Sequence, residues 1–265
     1  MSLRPRSSPL PEMRQDHYLA LPQANVVATL ALQQTKTNIR RAVAKKAMIC
    51  VYGDSGTGKS FCVNESLRRL ARDRTFRIEF RGRPTPLYIR ETLFGALGIT
   101  GKPPQRPAPF DRLLKEVLAE ESRVFICDEA QWLGQECFEY WRHLWDDKTT
   151  DMTVIFVGGD GCYEVLSNER MLASRIYIWQ EFRTMELKQV LEAIPDFHPI
   201  WGEVTDEVIS FADDTAAHGN FRDWAKITNH VLDRFEDDPG EKVISEELLL
   251  QVFGDLGGRP NKRAA

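Results

Sequence analysis

Residues 53–60 read Gly53-Asp54-Ser55-Gly56-Thr57-Gly58-Lys59-Ser60, which fits the pattern GxxxxGK[ST]. A short apolar run, residues 47–52, precedes them and a helical pattern follows, so they predict a strand, a phosphate-binding loop and a helix. Glycines allow backbone N–H groups to turn inward around phosphate oxygens at a helix N-terminus. We expect Lys59 to reach the β- and γ-phosphates and the Ser60 hydroxyl to ligate Mg²⁺. The pattern predicts a nucleoside triphosphate site.

A second stretch supplies the acidic residues that such a site needs. Four apolar residues, 124–127, are followed by Asp128 and Glu129. Ligands of open α/β sheets bind at the carboxyl ends of the strands, so we expect Asp128 to hold the Mg²⁺ shell and Glu129 to polarise the attacking water. The guanine-reading pattern NKxD is absent, because the only Asn-Lys pair, Asn261-Lys262, continues with Arg-Ala. These residues predict an ATPase that converts ATP to ADP and phosphate.

Short apolar runs alternate with helical patterns through the first two thirds of the chain. This alternation is typical of an α/β fold in which helices cover both faces of a parallel sheet, here with five strands. After Met185 only helical patterns follow, at 186–194, 205–217, 220–235 and 245–253. The predicted organisation is a flexible N-terminal arm (1–24), an α/β nucleotide-binding domain (25–185), a small all-helical lid (186–256) and a basic tail (257–265).

Charge is distributed unevenly along the 265 residues, although the net charge is only −4. Residues 1–83 contain 16 Lys and Arg against 6 Asp and Glu, which points to a polyanion-facing surface. Five cysteines without a CxxC pair favour reduced thiols over a disulfide framework or a zinc site. No apolar run approaches the roughly 18 residues that span a bilayer. We therefore expect a cytoplasmic protein without a membrane partner.

With these motifs the sequence resembles the AAA+ ATPases over about residues 25–255. The stretch Gly219-Asn220-Phe221-Arg222 looks like the family's sensor-2 motif, which implies that Arg222 reaches the γ-phosphate from the lid. Arg175 stands where the family places the arginine finger that enters the neighbouring subunit's ATP site, and Arg170 is the second choice. The sensor-1 position departs from the family, because Val157 is followed by two glycines and Asp160 is the available substitute.

Within AAA+, Asp128-Glu129-Ala130-Gln131 and the later motifs are similar to the transposition regulators of the TnsC, TniB and Mu B type. This resemblance implies a homo-oligomer, a ring or a helical filament, that forms on double-stranded DNA with ATP and Mg²⁺. It also implies a DDE-type transposase as partner, with hydrolysis driving disassembly. Two alternatives stay open: a helicase loader or replication-initiation ATPase, and a protein-remodelling or secretion ATPase that does not bind DNA.

Sequence-independent DNA binding needs Lys and Arg on loops that reach phosphates. Two predicted loops at one end of the sheet carry such residues, and Arg90 on the intervening helix is a weaker candidate. The DNA-binding candidates are Arg81, Arg83, Lys102 and Arg106.

Overall fold

The computed structural model of the chain describes residues 10, 16–80, 82–237, 240 and 243–257. Contacts divide these residues into two units. A sheet unit comprises Gln34–Ser55 and Cys62–Phe182 together with residue 10. A helical unit comprises Gly56–Phe61, the described residues between 12 and 33, and those from Arg183 onward. None of the helices in the described ranges is both long and apolar enough to cross a membrane.

Five parallel strands form the sheet, in the order β2-β3-β4-β1-β5. Because β3 and β1 both pair with β4 in parallel, their carboxyl ends lie at the same edge. The predicted five-strand parallel sheet is therefore confirmed. The strands are β1 (Met48–Gly53), β2 (Thr75–Glu79), β3 (Arg123–Asp128), β4 (Met152–Val157) and β5 (Ile176–Phe182).

The central strands are buried on both faces, as their unbroken apolar runs predict. Met48 and Cys50 of β1 belong to one core cluster, whereas Ile49 and Val51 alternate with them and are equally buried, so they face the other side. Helices of the sheet unit are α1 (Leu30–Lys45, which begins in the other unit), α2 (Lys59–Leu70), α3 (Pro86–Ala96), α4 (Pro107–Glu120), α5 (Gln135–Trp145), α6 (Cys162–Asn168) and α7 (Arg170–Ala173). All five cysteines are buried free thiols, as expected.

The helical unit has its own core, in which Trp201 and Trp224 pack edge to face with ring centroids 5.2 Å apart. The Trp201 indole N–H donates to the Thr228 hydroxyl, which satisfies a polar group inside this core. A π-helical turn, Asp213–Ala217, follows the second helix of the unit. The helices are α8 (Leu187–Phe197), α9 (Asp206–Ala212), α10 (Phe221–Asp237) and α11 (Glu246–Asp255), which match the four predicted after Met185.

Part of the predicted N-terminal arm lies in the described residues. Leu21 is buried in the core of the helical unit, and the Pro22 carbonyl lies 2.9 Å from Nε2 of His198. Asn25 continues this attachment, because its N–H donates to the Phe197 carbonyl. Residues 16–25 therefore pack onto the helical unit. Most of the arm before residue 16, and the basic tail after Gly257, lie outside the described residues.

Candidate nucleotide site

The glycine-rich loop leaves β1 in a conformation that requires glycine. Gly53, Gly56 and Gly58 have φ values of 131°, 83° and 91°, a region that other L-residues rarely adopt. At Gly53 a Cβ atom would also collide with the backbone of Phe182 on β5. Glycines with positive φ are typical of loops whose backbone N–H groups bind an anion.

Lys59 begins α2, so the predicted phosphate-binding lysine stands at a helix N-terminus. Lys59 is only 8% exposed, which is unusual for a lysine and distinguishes it from the lysines on the surface. Thr57, two residues earlier in the loop, is 6% exposed. Ser60 follows on the first turn of the helix, and its hydroxyl is an oxygen donor of the kind that Mg²⁺ prefers. The described residues contain no group of three or more His, Cys, Asp or Glu side chains that could hold a metal ion by themselves.

Asp128 and Glu129 stand at the carboxyl end of β3, at the sheet edge where β1 delivers the glycine-rich loop. Burial raises the pKa of the Asp128 carboxyl, and the adjacent Arg77 guanidinium opposes part of that rise. Glu129 is exposed and has left-handed backbone angles, φ 55° and ψ 41°. The two carboxylates therefore differ in environment, as their different predicted roles require.

Arg77 on β2 is a residue of this site that sequence reasoning missed. Its guanidinium forms an ion pair with Asp128 and also donates to the side-chain oxygen of Asn64 on α2. The charge of the half-buried Asp128 carboxylate is thereby balanced, which reduces the cost of removing it from water. An arginine between two apolar residues of a short strand, Phe76 and Ile78, was the available signal.

The end of β4, where the family places sensor 1, carries no polar side chain in the strand itself. Asp160, the predicted substitute, is exposed. Gln131 is the side chain that contacts Glu129: its amide nitrogen donates to a Glu129 carboxylate oxygen. Its amide oxygen accepts the N–H of Gly159 at 3.1 Å. In the sequence, Gln131 stands out only as the last residue of the stretch Asp128-Glu129-Ala130-Gln131.

In the helical unit, the loop residue Gly56 contacts the predicted sensor-2 segment. The Gly56 carbonyl accepts the Arg222 N–H at 3.2 Å, and a Cβ on Gly56 would overlap the Asn220 side chain. Asn220 in turn accepts the Arg222 N–H through Oδ1 at 3.0 Å. The Arg222 side chain is exposed, with its guanidinium 5.9 Å from the centroid of the Tyr18 ring. The structure thus brings the second glycine of the loop together with the start of α10.

A buried carboxylate holds the turn before α10. Oδ1 of Asp213, in the π-helical turn, accepts the Gly219 N–H at 2.7 Å and the Trp224 indole N–H at 3.1 Å. Gly219 has φ 72° and lies against the Met185 backbone, where a side chain would not fit. The turn before the segment that carries Arg222 is therefore held by the Asp213 carboxylate and by the close packing of Gly219.

Arg175, the predicted arginine finger, immediately precedes β5 and so lies at the amino edge of the sheet. Its Nε donates to Oδ1 of Asp146 at 2.6 Å, and one of its terminal nitrogens donates to the Met171 carbonyl at 2.8 Å. Asp128 and Glu129 lie at the opposite edge, so Arg175 does not join them within the sheet unit. Arg170, the second choice, is in the first turn of α7.

Of the DNA-binding candidates, Arg83, Lys102 and Arg106 are exposed, and Arg81 lies outside the described residues. The prediction that Arg90, the weaker candidate, is available on the surface for DNA is wrong. It donates to both carboxylate oxygens of Asp111, and its side chain is only 13% exposed. Its charge holds helices together and is not presented to a ligand.

Comparison with known proteins agrees with this geometry. Residues 40–166 match the family model described as AAA domain. No curated protein matches the chain in sequence. Among solved structures, the chain is similar to the Aeropyrum pernix ORC2 protein in its ADPNP–ADP complexes, with 12% identity, TM-score 0.66 and coverage of 87% of this chain and 70% of that one.

Two further similarities point to the same fold. The Aeropyrum pernix ORC1 protein in complex with DNA has 16% identity and TM-score 0.63, with coverage of 89% of this chain and 67% of that one. The Thermotoga maritima RuvB Holliday junction branch migration motor has 14% identity and TM-score 0.58, with coverage of 92% and 73%. The chain therefore has the AAA+ fold, a five-strand parallel sheet with helices followed by a helical C-terminal region.

Proposed function

We propose that the protein is an ATPase that binds ATP on residues 53–60 and hydrolyses it with Glu129 as the general base. The observation that carries this proposal is the set of three glycines with φ between 83° and 131° directly before Lys59 at the start of a helix. This loop suits a triphosphate, because it combines glycines with positive φ, a helix N-terminus and a lysine that is only 8% exposed.

Each residue then has a definable task. Lys59 and the loop N–H groups neutralise phosphate charge, and Glu129 accepts a proton from the attacking water. Ser60 and Asp128 are the residues that would hold Mg²⁺, which supplies charge neutralisation at the phosphate oxygens. Arg77 keeps the Asp128 carboxylate ionised and oriented. Arg222 is proposed to contact the γ-phosphate from the lid. Within the part of the chain that the structure describes, no hydrogen bond or ion pair of Asp160 supports a sensor role.

Substitution of Glu129 by Gln tests the proposal directly. The amide cannot accept the proton, so we expect ATP hydrolysis to fall about 10²- to 10⁴-fold. ATP binding should stay within twofold, because the glycine-rich loop and Lys59 are unchanged. Hydrolysis is measured by phosphate release and binding by equilibrium titration. Glu139→Gln, on the exposed side of α5, is the matched control and should leave both unchanged. A Glu129→Gln protein that hydrolyses ATP at the wild-type rate would refute the assignment.

We further propose that the ATP-bound protein oligomerises on double-stranded DNA without reading its sequence. The supporting observations are the net basic first third of the chain and the exposed Arg83, Lys102 and Arg106. Only two residues separate the end of helix α4 from the start of β3. Near that helix end, the Leu118 carbonyl accepts the N–H of Asp151, which immediately precedes β4. The end of α4 therefore lies at the amino edge, and its start, with Arg106, lies toward the carboxyl edge, as does Arg83 after β2.

The biological partner has two candidates. The motif resemblance favours a DDE-type transposase, which the oligomer would recruit and activate on target DNA. The similarity to ORC1 and ORC2 favours a replication-initiation role instead. A strand-transfer assay with an RNase-H-like transposase distinguishes them. Transposase activity that is stimulated only when this protein is bound to duplex DNA with ATP supports transposition. In a helicase-loading assay, preferential loading of a helicase on single-stranded DNA supports initiation.

A further inference from the structure

We propose that Gln131 is a positioning residue: its amide N–H holds the Glu129 carboxylate while its amide oxygen is anchored by the Gly159 N–H, and it takes the place of the missing polar residue at the end of β4. This role rests on the proposed ATPase function. One end of the Gln131 amide donates to Glu129, and the other accepts the Gly159 N–H at 3.1 Å. The amide is thus a bridge from the end of β3 to the loop after β4.

Glycine at position 158 makes room for this bridge. A Cβ there would overlap the Gln131 amide oxygen and the sulfur of Cys162, so no side chain fits at the first position after β4. A strand that ended in Asn, Ser or Thr would have to place its own polar group here. The chain instead has Gly158 and Gly159 and brings a polar group from Ala130–Trp132, the 3-10 turn that follows the neighbouring strand β3.

Glu129 needs such support because of its backbone. Its φ of 55° lies in the left-handed region, which a non-glycine residue keeps only where its surroundings impose it. It is also exposed, so packing does not select one orientation of its carboxylate. A neutral amide donor suits the task, because it orients a carboxylate without the ion pair that would make it a weaker base.

The two hydrogen bonds can be separated by substitution. Gln131→Met is similar in length and removes both bonds. Gln131→Glu keeps an acceptor for Gly159 but cannot donate to Glu129 when ionised. We expect either variant to lower kcat for ATP hydrolysis about 10- to 100-fold, the usual range for partners that orient a reacting group, with ATP affinity within twofold of wild type. Gln135→Met is the matched control: the Gln135 amide donates to the exposed Glu139, away from Glu129, and its loss should leave kcat unchanged.

Two readouts distinguish positioning from a merely structural role. Gly159 amide exchange, followed by NMR without nucleotide, should accelerate at least tenfold in Gln131→Met and remain slow in Gln131→Glu. In a double-mutant cycle, Gln131→Met should add no further loss to Glu129→Gln, because the residue it positions is already disabled. The proposal would be overturned if Gln131→Met had the wild-type kcat. It would also be overturned if Gln131→Met lowered kcat by the same factor in the Glu129→Gln background as in the wild type. A wild-type protein no faster than Glu129→Gln would instead overturn the ATPase function.

Discussion

At the scale of single residues, the glycine-rich loop depends on positions that tolerate no side chain. Gly56 combines a φ of 83° with contact to the Asn220 side chain, so it is constrained both by its backbone and by its neighbour. The same residue accepts the Arg222 N–H through its carbonyl. A change at Gly56 would therefore disturb the phosphate-binding loop and the start of α10 together.

We expect Gly56→Ala to lower the free energy of unfolding by about 1–3 kcal/mol, because a left-handed conformation is costly for Ala and the Cβ displaces Asn220. ATP affinity should fall at least tenfold. Gly95→Ala is the opposite control, since Gly95 lies within α3 with open space around it. That change should stabilise the protein by about 0.5–1 kcal/mol through helix propensity. Chemical denaturation measures the free energy of unfolding of both variants, and nucleotide titration measures their ATP affinity. Equal changes in the two variants would contradict this account.

At the scale of elements, three helices of the sheet unit meet at one carboxylate. Asp111 on α4 accepts from Arg90 on α3 at 2.7 and 3.2 Å and from the Tyr140 hydroxyl on α5 at 2.9 Å. Burial alone would raise the pKa of Asp111, but the hydrogen bonds from Arg90 and Tyr140 outweigh it, so its pKa is lowered. The same contact raises the pKa of Tyr140, whose burial is the larger cause.

Asp111→Asn should lower the free energy of unfolding at pH 7 by about 1.5–3 kcal/mol, because charge-assisted hydrogen bonds are lost. A carboxylate whose pKa is lower in the folded state stabilises the protein above its unfolded pKa of about 3.9 and loses this effect as the pH falls below it. The difference between wild type and variant should therefore shrink below about pH 4. Exposed Asp73→Asn should change stability by less than about 0.5 kcal/mol. Denaturation midpoints across pH check this; a difference independent of pH would contradict it.

Whether a feature of the fold or of the site can be predicted from the sequence depends on how far apart in the chain its interacting residues lie. The strands and the glycine-rich loop are encoded locally, in apolar runs and in glycines beside a lysine, so they could be predicted. Arg77, Gln131 and Asp213 act through partners that lie 51, 28 and 11 residues away in the chain, at Asp128, Gly159 and Trp224. Only the folded sheet and helices bring those pairs together, which is why local patterns did not reveal their contacts.

At the scale of the whole molecule, the site is proposed to be completed by a second copy of the chain. Arg175 lies at the amino edge of its own sheet, where Asp146 holds it, and the proposed catalytic carboxylates lie at the carboxyl edge. A head-to-tail assembly would bring the two edges of neighbouring subunits together. The proposed role of Arg175 in a neighbour's site can be tested by mixing subunits.

Arg175→Ala and Glu129→Gln should each be inactive alone but complement each other. A Glu129→Gln subunit still offers Arg175 to an Arg175→Ala neighbour, whose own Glu129 is intact. In an equal mixture about a quarter of the head-to-tail interfaces should be competent, so about a quarter of the wild-type ATPase rate should return. Phosphate release on mixing measures this. Normal hydrolysis by Arg175→Ala alone, or no gain on mixing, would show that Arg175 does not act between subunits.

Duplex binding that depends on ATP is the central claim for the assembled protein. The most direct measurement is electron microscopy of Glu129→Gln protein with a random-sequence duplex of about 60 base pairs, enough for several subunits if each covers a few base pairs, with ATP, ADP or no nucleotide. The account predicts rings or filaments on duplex with ATP only, and their loss in the Arg83→Ala/Lys102→Ala/Arg106→Ala variant. Control substitution of Arg69, Arg72 and Lys148, at the amino ends of the strands, should leave them intact. Particles that form without binding the duplex, or that form equally with ADP, would contradict this account.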